Sequence, residues 1–219
     1  MPGDWKERAQ AAQARYDDGA VRLPADPDER QRQLTRMGNA AWAAGLALLM
    51  LGLREEANEW LTRAAETYRR SWEGAPPGSW GRPIGAMKSR LIAGDLVSAR
   101  EDAHWALDAG AVRSESPIGR YAAALAHLVL GEDVDAAALV TTLSGVEAIP
   151  TAVADSLSAL AASDVTVYES AIQALVADFE AREEFLEDIA VADTVLALQA
   201  LADQRHLSVT LSSPLLPEQ

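Results

Sequence analysis

The chain has three histidines, and their surroundings decide first what acid–base chemistry is open to it. His104 stands one helical turn before Asp108, a spacing that lets a carboxylate orient an imidazole as a base, but the sequence places no nucleophile beside the pair. His127 lies in an apolar stretch and His206 follows a helix end, and no two histidines have the H-E-x-x-H spacing of a helical zinc site. There is no G-x-x-x-x-G-K-[ST], no G-x-G-x-x-G and no G-x-S-x-G, so the common phosphate loops and the serine-hydrolase elbow are missing. The absence of cysteine removes disulfides, thiol catalysis and cysteine-ligated metals. The expectation is a chain with no catalytic residue, no metal and no cofactor.

Two local clusters could bind instead. The loop from Trp72 to Pro83 carries Trp72, Trp80 and Arg82, with Lys88 and Arg90 just beyond it. Tryptophan and arginine are enriched at binding hot spots, so these five residues form one candidate partner surface; the alternative is a long connector whose tryptophans tuck into the core. The second cluster is acidic: Glu183, Glu184, Glu187 and Asp188, within a run from Asp178 to Asp193. Glu180 and Glu183, and Glu184 and Glu187, stand one helical turn apart, but without a histidine this is a poor metal set. It reads as a solvated helix face or as a patch for a basic partner, such as a toxin that cuts nucleic acid.

The charge distribution supports an acidic surface. Residues 1–120 hold 17 basic and 17 acidic side chains, whereas residues 121–219 hold 2 basic and 16 acidic, so the net −14 belongs to the C-terminal half. Such a field repels nucleic acid and anionic membranes and attracts basic proteins, although it also simply aids solubility. The first ten residues lack the apolar core of a signal peptide, and the most apolar run, 40–51, is shorter than the roughly 20 residues a membrane crossing needs. A cytoplasmic protein is therefore expected, with a protein partner, no nucleic acid and no membrane; a homodimer is compatible with the same features.

These residues must be positioned by helices. Hydrophobic residues make up 49% of the chain, enough for a core, and Ala and Leu dominate over strand formers. The expectation is one compact all-α domain of about ten helices. Asp4 with Glu7 opens a helix to about residue 18, broken at Gly19. Asp26-Pro27-Asp28-Glu29 opens a second over 27–51, apolar all round in its late turns. Further helices are expected at about 53–73, 84–93, 96–109, 117–130, 134–143, 150–162, 165–186 and 191–205. The domain divides into an N-terminal helix and linker (1–25), hairpins (26–145), C-terminal helices (150–206) and an extended strap (207–219).

Three segments share one pattern, a glycine closing a helix and an alanine five residues later: Gly52 with Ala57, Gly94 with Ala99, Gly131 with Ala136. Glycine closes a helix in the left-handed conformation, and alanine lets the next helix approach closely. With Gly45, Ala64, Ala106 and Ala124, these residues make 38–145 resemble tetratricopeptide repeats, and the 42- and 37-residue glycine spacings place the excess over that family's 34 in the loops 74–83 and 110–116. The resemblance implies antiparallel helix-hairpin stacking and a peptide groove lined by Asn39, Trp42, Leu46, Leu49, Met50, Tyr121, Leu125 and Leu128. That lining is too apolar for a peptide. Either another part of the chain fills it, with the N-terminal helix a candidate, or it is a hydrophobic interface.

The C-terminus, with Asp193, a Leu/Ala helix, Arg205, an extended segment near Val209 and Leu216-Pro217, resembles the ending of a helical family of immunity proteins that accompany bacterial polymorphic toxins; Leu215 stands where that family tends to carry an aromatic residue. The resemblance implies a toxin-neutralising binder. The combined expectation is a non-enzymatic protein–protein interaction module, with an enzyme or small-molecule-binding regulator using an inter-helical pocket near 74–90 as the alternative.

Overall fold

A computed structural model describes residues 4–218; residues 1–3, part of the stretch read as lacking a signal peptide, and residue 219 of the strap lie outside it. Among the described residues the chain folds into ten α-helices and no strand: α1 (Trp5–Val21), α2 (Pro27–Met50), α3 (Arg54–Ser71), α4 (Gly81–Ala93), α5 (Leu96–Asp108), α6 (Pro117–Leu130), α7 (Asp133–Val140), α8 (Thr151–Ala162), α9 (Val165–Glu180) and α10 (Asp193–Gln204). No described helix is long and apolar enough to cross a membrane.

The order follows from the turns. Each of α2–α3, α4–α5 and α6–α7 is joined by a few residues around Gly52, Gly94 or Gly131, all left-handed at φ 74° to 78°. Turns this short oblige the two helices to run antiparallel. Ala57, Ala99 and Ala136 are fully buried on the returning helices. In the first hairpin α2 and α3 approach so closely that a Cβ on Gly45 would lie 2.7 Å from Leu61 Cγ. Successive hairpins pack on one another, and α8–α9 adds a fourth pair. Asp4 and Asp26 each accept two backbone N–H bonds at their helix starts, satisfying amides that have no partner inside the helix.

Three expectations are corrected. First, α1 runs through Gly19 to Val21. Gly19 is buried against α2, where an added Cβ would meet Met37 Cγ at 2.7 Å, so this glycine is a close-approach residue rather than a breaker. Second, α4 starts at Gly81, three residues before the expected position, with Pro83 tolerated in its first turn. Third, α9 ends at Glu180, so Glu183, Glu184, Glu187 and Asp188 do not share a helix face. Carboxylates are unfavourable at the negative end of a helix dipole, and Phe185 instead turns extended to pack on the core.

The N-terminal helix does not fill the apolar groove. It buries only Ala9, Ala12 and Gly19 and lies along α2. α10 fills the groove over α4, near Leu49 and the Leu128 carbonyl, burying Val195, Ala197, Leu198, Leu201 and Ala202 and packing on α4, α8 and α9, while the end at Asn39 and Trp42 stays open as a cleft. Residues 207–218 then run as a strap without helix or strand that turns at 214–216, where the Leu216 N–H donates to Ser213 O; Leu207 is buried and Val209, Leu211, Leu215 and Leu216 lie against the core.

Candidate functional site

Polar contacts at both ends fix α10 in the groove. At its start, Lys88 of α4 forms an ion pair with Asp193 and donates to Thr194 Oγ1 at 2.8 Å; the two charged side chains are only 12% and 14% exposed. At its end, Arg205 donates to the Leu128 carbonyl at 2.8 Å and to Asp133 at 2.5 Å. Gln199 donates to the Val209 carbonyl at 2.6 Å and accepts from the Tyr168 hydroxyl at 2.9 Å, tying α9, α10 and the strap together. The Ala192 N–H donates to Leu215 O at 2.9 Å. The expected groove residues Trp42, Leu46, Leu49, Tyr121, Leu125 and Leu128 are all buried, while Asn39 and Met50 are partly so.

The aromatic and basic residues around the 72–83 loop fall into two groups. Trp72 packs between Trp80, at 5.7 Å between ring centroids, and Trp105, at 5.6 Å and edge-on. Trp80 is 7% exposed, part of a small core with Ala111, Ala122 and Ala123. Arg90 is an internal cation: it lies 3.1 Å from Asp95, 3.7 Å from Asp102 and 3.9 Å from Glu66. Arg69 donates to Asp102 at 2.8 Å and lies over the Trp105 ring. Burial raises the Asp102 carboxyl above its ordinary value, outweighing the two arginines that pull it down. Asp95 is the opposite case. Burial pushes it up, but hydrogen bonds from Ser98 and the Arg90 charge prevail and hold it below the usual carboxylate value.

Arg82 and Lys88 border a cleft of about 390 Å³ between α2, α4 and the residues around 186. Trp42, Trp80 and Tyr68 wall it, and Thr35, Asn39 and Asp193 contribute polar groups. Tyr68 is held by two glycines: a Cβ on Gly38 of α2 or on Gly85 of α4 would lie 2.8 Å from its ring carbons. Its hydroxyl donates to Asn39 Oδ1 at 2.9 Å. Burial, then the carboxylates of Asp193 and Glu187, push the Tyr68 hydroxyl far above the ordinary phenol value, so it remains protonated as a donor.

The acidic residues separate. Glu183, Glu184 and Asp188 are exposed. Glu187 forms an ion pair with Arg15 of α1 at 3.0 Å, and the Asp188 carbonyl accepts from Arg8. Elsewhere His127 Nδ1 lies 2.6 Å from Glu132, and with Asp135 these residues form a group whose ligand atoms lie within 4.8 Å of one another. No helical ligand spacing marks this group along the chain, because its three residues straddle the Gly131 turn. Both carboxylates are exposed, and the histidine is already bonded to one of them.

No family model, no curated protein and no solved structure matches the chain.

Proposed function

We propose that the chain is a non-enzymatic protein-binding module that meets a basic partner through the carboxylates of its C-terminal half. One observation carries this reading. Beyond residue 120 both arginines are already paired, Arg182 with Asp178 at 2.8 Å and Arg205 with Asp133. Asp155, Glu169, Glu183, Glu184, Asp188 and Asp203 are exposed and have no ion-pair partner among the described residues. The resulting field is uncompensated at its own surface and favours encounter with a positively charged protein. α10 occupies the groove over α4, so only a cleft of about 390 Å³ remains of it, too small for a peptide, which favours outer surfaces for contact with a protein.

The C-terminal resemblance narrows the proposal to an immunity protein, whose partner would be a toxin; a toxin that cuts nucleic acid carries the basic surface this field suits. The test is affinity capture from the native host with the wild-type chain and with Glu183→Lys/Glu184→Lys. The expected result is one stoichiometric basic protein, released as salt shortens the Debye length below about 8 Å and captured far less by the variant. Equal capture by both chains, or a neutral or acidic partner insensitive to salt, refutes the reading.

A further inference from the structure

We propose that the cleft walled by Trp42, Trp80 and Tyr68 is a binding site for a small organic anion with a planar ring, its anionic group held by Arg82. The site borders the acidic face at the 186–188 turn, but its ligand and its test do not depend on that face.

Charge at the cleft points to an anion. Arg82 donates to Ser71 Oγ at 3.0 Å and to Gln31 Oε1, and both partners are neutral. No carboxylate lies within ion-pair distance of it among the described residues, unlike the neighbouring Arg69, Lys88 and Arg90. Ser71 and Gln31, which do not line the cleft, hold its Nε and Nη2, and no hydrogen-bond partner holds Nη1 among the described residues; the half-buried guanidinium lacks a counter-charge, and that burial disfavours its charged form. A carboxylate or phosphate on a ligand would supply the missing charge in the geometry a guanidinium prefers. Asp193 and Glu187 are each ion-paired, with Lys88 and Arg15, but their field still opposes negative charge at the Tyr68 hydroxyl, which places the ligand's anionic group at Arg82 and not beside Tyr68.

The remaining lining suits the ligand's body. Trp42, Trp80 and Tyr68 are each more than nine-tenths buried and line the cleft with only the margin of their rings, which gives the ligand's body an aromatic wall. The Asn39 carboxamide accepts from Tyr68 through its oxygen, which leaves its amino group to donate to a ring heteroatom or carbonyl. At the rim Leu186 is 54% exposed. It is presented by a turn in which Glu187 and Asp188 both take the left-handed conformation, at φ 55° and 58°. Neither is glycine, so the turn is strained, and Arg8 and Arg15 hold it. An apolar ring in the cleft would cover the side chain that this turn keeps at the opening.

The experiment uses the full chain labelled with ¹⁵N and follows the six tryptophan indole N–H signals during titration. The probes are indole-3-acetate with its neutral counterpart indole-3-acetamide, and adenosine 5′-monophosphate with adenosine. The two pairs distinguish a carboxylate from a phosphate ligand. At least one anion is expected to bind saturably with Kd below about 1 mM, moving the Trp42 and Trp80 signals but not that of Trp5. Its neutral counterpart should bind about tenfold more weakly, and Arg82→Gln should remove that preference. Leu186→Ser, at the exposed rim, should keep the fold and weaken the same anion about threefold, which tests the site even if Arg82→Gln unfolds. No saturable shift with either anion at about 5 mM, equal affinity for charged and neutral probes, or shifts at Trp5 instead would overturn the proposal.

Discussion

Removing the charge of Lys88 tests whether α10 is an integral part of the array. Lys88 and Asp193 are 12% and 14% exposed and lie 105 positions apart in sequence, so their contact exists only when α10 sits against α4. Lys88→Met keeps the apolar stem but strands the Asp193 carboxylate beside the buried hydroxyls of Tyr68 and Tyr121, whose ionisation it already opposes. Breaking a buried ion pair from one side costs about 3–5 kcal/mol, and the residual exposure here favours the lower end, about 3 kcal/mol. For a chain of this length that lowers Tm by about 6–12 °C. Asp193→Leu should cost a similar amount, because it strands the ammonium and removes an acidic residue from the first turn of α10. The double variant removes both charges together and should cost only about 1–2 kcal/mol, a coupling of about 4–5 kcal/mol. Urea unfolding followed by circular dichroism measures all four corners of the cycle. Additive single effects, or a Lys88→Met cost below about 0.5 kcal/mol, would show that α10 does not rest on this pair.

The clamp on Tyr68 makes a second prediction: Gly85→Ala gains about 1 kcal/mol of helix propensity but loses about 1–3 kcal/mol to the collision with the ring, so it destabilises the wild type and stabilises a Tyr68→Leu background, read by urea midpoints. Arg205→Met leaves the Leu128 carbonyl and Asp133 without their donor and should cost about 2–3 kcal/mol, again measured by urea unfolding. The two acids of the α4–α5 hairpin should titrate with opposite signs. Asp95 is held below its ordinary value, so its stabilisation is complete above that value and is lost as pH falls through the folded one; the cost of Asp95→Asn should shrink on acidification. Asp102 is raised, so its burial penalty is present at neutral pH and is relieved as pH falls towards the ordinary carboxylate value; the cost of Asp102→Asn should grow over that range, and both are read from stability curves at a series of pH values. Glu183→Lys/Glu184→Lys should leave Tm unchanged within the equivalent of about 0.5 kcal/mol, since both residues are exposed and unpaired.

The hairpins were legible because their determinants are local. A glycine that must adopt positive φ and an alanine that must be buried five residues later are fixed by one turn of chain, and Asp26-Pro27 marks a helix start within two residues. The same local logic misread Gly19, whose role depends on Met37 of the next helix, and it extended α9 past Glu180 because apolar periodicity does not register unfavourable charge at a helix end. The excess of apolar lining left two readings open, a groove filled by another part of the chain or a hydrophobic interface, and it did not point to α10. Asp193 and Arg205 stood out in the sequence only through the C-terminal resemblance; their partners Lys88 and Asp133 are distant in sequence, and no short-range pattern connects them. The tryptophans of the 72–83 loop illustrate the same limit: residue type left a contact surface and a connector tucked into the core both open, and only the fold shows Trp72 and Trp80 packed on each other and on their neighbours.

The central claim is that α10 closes the groove of the array and that contact with a partner falls to the acidic C-terminal face. Amide hydrogen exchange of the chain alone and in complex with its captured partner tests both parts together. The account predicts that α10 exchanges only through global unfolding in the free chain and stays protected in the complex, with new protection on α8, α9 and the 181–188 turn. Opening of α10 on binding, or new protection confined to α2, α4 and α6, would contradict it.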